Sequence, residues 1–166
     1  AELQEFAEAK LGGVAALGDS EKAARAYDYE TGLRGLIKYA VNFALPRDVA
    51  EDAIAALAQS HGQSLDQLAT QWFLSEQNIK NLSAAGMEIG MHGASHLSLS
   101  QLGAHGLAKE VIRSSDYLHS LTGEVPTWFC WPFGQYGTGH DTEIVHRECR
   151  RLGVQAMVTT ETAFVN

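Results

Sequence analysis

Apolar residues in the first half of the chain recur every three or four positions, which is the spacing of amphipathic helices. The pattern predicts one or two helices within residues 19–43. Pro46 is expected to open another helix, because its fixed backbone angle suits the first helical position. Ser64 and Ser75 each precede a further helical stretch and have side chains suited to an N-cap. Residues 1–86 are therefore predicted to be helical, with no strands.

After Gly86 the pattern changes to short apolar runs separated by amphipathic stretches. The runs predict strands and the stretches predict helices: strands 87–91, 127–131 and 154–158, a helix from Ser98 or Ser100 to Leu121, and a helix from Asp141 or Thr142 to Leu152. This alternation indicates two successive βαβ units and a parallel sheet of α/β class. Three strands make a thin sheet, so we expect either further strands outside this chain or completion by another copy of it.

Composition narrows the function classes. The chain has 166 residues, of which 45% are hydrophobic and 19% are charged, as is ordinary for one globular domain or part of one. The net charge of −8 comes without a basic patch, which excludes nucleic acid and anionic membranes as expected partners. No signal peptide or membrane span is visible. Cys130 and Cys149 lie in apolar segments, so two buried thiols are expected rather than a disulfide.

The run His92-Gly-Ala-Ser-His96 directly follows the first predicted strand. Gly93 and the nearby serines favour a turn over a helix, and no Glu follows the first His, as it does in helical zinc-peptidase motifs. Neutral imidazoles are good ligands for zinc and other divalent transition metals. Two histidines do not complete such a site, and the pair is also compatible with loop side chains bonded to water and backbone.

A second unusual loop, Trp131-Pro132-Phe133-Gly134, ends the next predicted strand. Aromatic rings around a proline form a flat apolar wall of the kind against which sugars place their C–H faces. The alternative is a hydrophobic plug over one end of the sheet.

Both loops resemble motifs of the polysaccharide deacetylase family, also called the NodB homology domain. Residues 82–102 resemble the histidine motif of that family, including the helix before it and the Leu/Ser stretch after it. Residues 131–136 resemble the aromatic-proline motif that walls the active groove, and residues 153–161 are similar to the strand and loop that follow. The resemblance covers about residues 72–165.

The resemblance implies a distorted (β/α) barrel with its site at the C-terminal ends of parallel strands. It implies that His92 and His96 bind a divalent metal, with zinc as the expected ion. The implied reaction is hydrolysis of N- or O-acetyl groups on an acetylated glycan, in which the metal polarises the acetyl carbonyl. The implied substrate-binding residues are Trp131, Pro132, Phe133, Gly134 and Tyr136.

The sequence departs from the family in three places. The Thr-Phe-Asp-Asp-Gly motif, which supplies the third metal ligand and the general base, is absent, as is the late His motif that supplies the general acid. Cys130 stands where the family often has Arg. The resemblance then makes residues 1–74 a helical insertion and residues 75–166 the deacetylase-like part of one incomplete domain, which alone is expected to be inactive.

Two other expectations remain open. The chain is alternatively a degenerate, non-catalytic module that binds carbohydrate. It is also expected to form a homo-oligomer if the incomplete sheet edge pairs with a second copy.

Overall fold

The structure is a computed structural model of the chain that describes residues 8, 9, 13, 19–99, 102–134 and 140–160. The chain divides into two compact units, Ala1–Phe73 and Leu74–Asn166. Within the residues that the structure describes, no helix is both long and apolar enough to cross a membrane.

Over residues 19–73 the first unit contains four α-helices: α1 (Ser20–Ala26), α2 (Leu33–Tyr39), α3 (Arg47–Ser60) and α4 (Leu65–Trp72), with a π-helical turn, Ala40–Ala44, continuing α2. The small core of this unit forms around Ala40 and Ala53, which lie on the predicted apolar faces. Pro46 is the N-cap of α3, one position before the predicted place.

Local capping explains where α4 begins. The Ser64 hydroxyl accepts a hydrogen bond from the Gln67 backbone N–H at 3.2 Å, and the Gln67 side-chain oxygen accepts one from the Ser64 N–H at 2.8 Å. This reciprocal pair is a capping box, so the predicted N-cap at Ser64 is confirmed.

The second unit is mixed α/β, in the order α5 (Glu76–Ala84), α6 (Ala104–Thr122), β1 (Trp128–Cys130), α7 (His140–Arg151) and β2 (Ala156–Val158). β1 pairs with β2 in parallel, with Trp128 opposite Ala156 and Cys130 opposite Val158. On the other edge of β1, Met91 forms a single parallel bridge to Phe129. The predicted α/β class and parallel direction are confirmed.

The predicted strand 87–91 is wrong in extent, because only Met91 pairs. Its N–H donates to the Trp128 carbonyl, and its carbonyl accepts from the Cys130 N–H, both at 2.8 Å. The neighbouring β1 begins only at Trp128. In the register of the Met91–Phe129 bridge, residues 87–89 would lie opposite residues 125–127, before that strand begins.

One hydrophobic core joins the sheet to both long helices of this unit. Its buried members are Met91, Leu99, Leu107, Val111, Phe129, Trp131, Ile144, Val145 and Cys149. The Phe129 and Trp131 rings meet edge to face, with centroids 5.7 Å apart. Cys130 and Cys149 are both free thiols; Cys149 is buried as expected, whereas Cys130 is only partly buried. This core fixes Met91 and the end of β1, from which the two unusual loops project.

Candidate active site

His92 leaves the sheet directly after the bridge at Met91. Its Nδ1 lies 2.9 Å from the carbonyl oxygen of Cys130, a residue that the same bridge holds in place. Because a carbonyl oxygen can only accept, Nδ1 carries the proton in this bond. The other ring nitrogen, Nε2, then has its lone pair available for a metal ion, which is the arrangement usual for metal-binding histidines.

The loop brings the His96 ring back beside the His92 ring. The backbone of His96 is left-handed, with φ of 54°. Its ring centroid lies 4.7 Å from that of His92, and the two ring planes meet at 63°. Partial burial of the ring lowers the pKa of His96, and repulsion from His92 lowers it further. A lowered pKa favours the neutral imidazole, which is the form that binds metal.

Phe133 also lies against His96. The Phe133 and His96 ring centroids are 4.8 Å apart, with the planes at 63°. Phe133 also has a left-handed backbone, with φ of 60°. Among the described residues, His96 and Phe133 are the two non-glycine residues with positive φ, and they contact each other. Such strained conformations cluster at functional sites.

A cavity of about 640 Å³ opens beside His92. Its walls include Gly90 and the loop residues Gly93 and Ala94, with Arg113, Ser114, Asp116, Tyr117 and Leu118 on the α6 side. This volume lies within the range of small-molecule sites. The cavity therefore combines an imidazole with charged and hydroxyl groups that can form hydrogen bonds to a polar ligand.

Comparison with known proteins assigns the chain to a family. A model of the polysaccharide deacetylase family matches residues 43–157, which is more than half of the chain. The chain belongs to the polysaccharide deacetylase family. Neither the curated proteins nor the solved structures contain a match to it. Family membership classes the chain with hydrolases that deacetylate polysaccharides, and the predicted resemblance is confirmed.

The deacetylase motif residues fall into two groups in this structure. His92, His96 and Phe133 come together in one cluster of rings. Trp131 has no exposed surface and packs in the core, while Pro132 and Gly134 are also buried. Tyr136 lies outside the described residues. The aromatic-proline motif thus presents Phe133 toward His96 and buries Trp131 in the core.

Two imidazole nitrogens are ligands that suit zinc, and the lowered pKa of His96 favours the neutral, metal-binding form of that ring. Within residues 19–99, 102–134 and 140–160, no group of three or more His, Cys, Asp or Glu side chains could hold a metal ion. Zinc sites in catalytic centres use three protein ligands. His92 and His96 alone are fewer than the ligands that such a centre uses.

Glu110 is a site residue that the sequence analysis missed. Its side chain lies on α6, is 6% exposed, and reaches the loop between the two histidines. A signal for it existed in the sequence, since an acidic residue stands between Leu107 and Val111 on the apolar face of a predicted helix. Its partners are backbone groups, which no side-chain motif reveals.

Proposed function

We propose that this chain carries the histidine part of a metal-dependent deacetylase site that hydrolyses acetyl groups on the sugars of a polysaccharide. The observation that carries the proposal is the His92–His96 pair, with rings 4.7 Å apart and His92 oriented by the Cys130 carbonyl. The family of the chain gives the reaction class. Zinc is the proposed ion.

In this proposal His92 and His96 hold the metal through their imidazole nitrogens. The bound metal ion would polarise the acetyl carbonyl and stabilise the negative charge that develops on its oxygen. The hydrogen bond from Nδ1 to Cys130 keeps the His92 ring from rotating. The lowered pKa of His96 keeps that ring free of a competing proton at neutral pH.

The sugar would lie on the exposed part of Phe133, with the cavity beside His92 receiving its polar groups. Arg113 and Asp116 at the cavity wall offer a donor and an acceptor for sugar hydroxyls. Trp131, Pro132 and Gly134 would hold Phe133 in place from below, and Tyr136 is proposed as a further substrate contact.

We further propose that residues 75–166 form part of a distorted (β/α) barrel and that residues 1–74 are a helical insertion. The sequence has no Thr-Phe-Asp-Asp-Gly motif and no late His motif. The third ligand, the general base and the general acid would therefore come from residues that this sequence does not supply. The chain by itself is expected to bind zinc weakly and to release no acetate.

A zinc titration of the chain, read by competition with a chromophoric chelator, tests the metal site. We expect His92→Ala and His96→Ala each to weaken zinc binding by about tenfold or more, because each removes a ligand. His119→Ala is the matched control, since His119 is exposed near the end of α6 and outside the site. Zinc binding that is unchanged in both site variants would contradict the proposal.

The second candidate is a carbohydrate-binding module without catalysis, which the two-ligand donor set in the described residues favours. It predicts that chitooligosaccharide binding, measured calorimetrically, persists in the presence of a chelator and in His92→Ala. Binding that disappears with the chelator would support the metal-dependent site instead.

A further inference from the structure

Glu110 places a carboxylate among apolar side chains. It lies on the core-facing side of α6, with Leu107 one turn before it and Val111 directly after it, both fully buried. Removing a carboxylate from water is costly unless hydrogen bonds compensate for the lost hydration. The partners of Glu110 therefore indicate what its burial achieves.

Two of those partners are the backbone N–H groups between the metal-binding histidines. The Glu110 Oε2 atom accepts from the Ala94 N–H at 2.9 Å and from the Ser95 N–H at 2.8 Å. Hydrogen bonds to an ionised acceptor are about twice as strong as neutral ones. The carboxylate thus fixes the middle of the loop, 15 and 16 residues away along the chain.

Gly93 shows how closely the loop is held. Its φ is +80°, and a Cβ atom there would lie 3.2 Å from the Glu110 Oε2 and 3.5 Å from the Pro132 Cγ. The loop therefore lies between α6 on one side and the turn after β1 on the other. A Cβ atom at position 93 would push the carboxylate by a few tenths of an ångström and touch the proline at ordinary contact distance, and its positive φ would be strained.

We propose that Glu110 is a positioning residue that sets where His96 stands relative to His92. The Cys130 carbonyl fixes His92 independently, so loss of Glu110 would release Ala94 and Ser95 and, with them, His96. The inference rests on the proposed function to the extent that the two histidines hold a metal ion. Its structural part, the clamp on the loop, can be measured without metal.

The test compares three variants of the full chain: Glu110→Ala, Glu110→Gln and, as the matched control, Glu148→Ala. Glu148 is also a buried carboxylate of the second unit, at 8% exposure, but it pairs with Arg147 and Arg151 and makes no bond to the loop. Amide hydrogen exchange at Ala94 and Ser95, measured by NMR without metal, reports the clamp. Zinc affinity, measured by chelator competition, reports the spacing of the histidines.

We expect Glu110→Ala to raise exchange at Ala94 and Ser95 about tenfold or more and to weaken zinc binding about tenfold. Glu110→Gln keeps an oxygen acceptor of the same reach and should stay within about threefold of the original zinc affinity. Glu148→Ala should lower stability without changing either readout. If Glu110→Ala does not fold, Gly93→Ala disturbs the same contact and should weaken zinc binding with Glu110 intact.

Zinc affinity that is unchanged in both Glu110→Ala and Gly93→Ala would overturn the inference, as would Glu110→Gln behaving like Glu110→Ala. Failure of the proposed function looks different. In that case His92→Ala and His96→Ala leave zinc binding unchanged, while the exchange rates at Ala94 and Ser95 still report whether the clamp exists. Unchanged exchange in Glu110→Ala would overturn the clamp itself.

Discussion

At the scale of single residues, the site is built on two strained backbones. A non-glycine residue in the left-handed region costs roughly 1–2 kcal/mol, and both His96 and Phe133 adopt it. The conformation of His96 turns its ring back toward His92, and that of Phe133 turns its ring onto His96. Stability is thus given up locally to bring three rings together.

The variant Phe133→Gly should separate the energetic cost of the left-handed backbone from the stabilisation that comes from packing of the phenyl ring. Glycine removes a strain of about 1 kcal/mol, whereas losing a half-buried phenyl ring costs a similar amount. The free energy of unfolding should therefore change by less than about 1 kcal/mol.

Denaturant titration measures the effect of Phe133→Gly, with Phe129→Ala as the comparison. Phe129 is fully buried in the core and has an ordinary backbone, so its loss should cost about 3–5 kcal/mol. An equal loss of stability in the two variants would contradict the account of strain at Phe133.

Cys149 gives a pH dependence whose sign follows from its burial. Burial raises the pKa of this thiol to about 12, from an ordinary value of 9.0. The unfolded chain therefore loses the thiol proton at lower pH than the folded chain does. The stabilisation is complete below about pH 9 and is lost as the pH rises toward 12, by at most about 1.4 kcal/mol per pH unit.

Urea unfolding of the original chain and of Cys149→Ala, repeated at several pH values between 7 and 10.5, measures this linkage. The difference between their free energies of unfolding should be constant up to about pH 8.5 and should then shrink. A difference that stays constant to pH 10.5 would show that the folded and unfolded thiols have the same pKa.

At the scale of elements, residues close in sequence determine where most helices begin, whereas pairing between distant segments determines the extent of the strands. The caps at Ser64 and Ser75 could be read from sequence because they act within three residues. The start of α6 could not, although Ser98 and Ser100 are good capping residues. Ser98 and Leu99 are buried instead, and the helix begins only after Gly103.

The candidate site also has features that the sequence predicts and features that only the structure shows. The two histidines and the aromatic-proline turn were visible because each is a compact motif. The single bridge at Met91, the burial of Trp131 and the clamp by Glu110 depend on contacts between segments distant in sequence. Backbone hydrogen bonds to a buried carboxylate leave no periodic pattern, so only the structure shows them.

Ser64→Ala tests the capping of α4. It removes one acceptor of the capping box and should lower the free energy of unfolding of the first unit by about 1 kcal/mol. Ser64→Asp keeps an acceptor at the N-cap and should retain nearly all of the stability. Thermal unfolding followed by circular dichroism at 222 nm (the helix band) compares them; equal losses in the two variants would exclude the cap as the cause.

At the scale of the whole molecule, three large apolar side chains are exposed where the two units meet along the chain. Trp72 and Phe73 are each 73% exposed and Leu74 is 61% exposed. Residues 73–75 connect α4 to α5 without regular structure. Exposed connections of this kind are preferred sites of proteolysis.

Limited digestion with chymotrypsin should therefore cut first after Trp72 or Phe73 and yield two fragments that resist further cleavage longer than the connection does. Mass spectrometry identifies the sites. Phe129 and Trp131 are buried and serve as internal controls that should remain uncut in the early products. First cleavage at either of these two residues would contradict the division into units.

The expected homo-oligomer stays a prediction, which sedimentation velocity tests.

The bond from His92 to Cys130 also has a consequence for the order of events during folding. It joins residues 38 positions apart, and the same Cys130 closes the bridge to Met91. Contacts this distant form slowly, because the entropy of closing the intervening loop must be overcome first. A nascent chain therefore cannot present an oriented His92 ring until β1 has docked, so the orientation of this ring reports completion of the sheet.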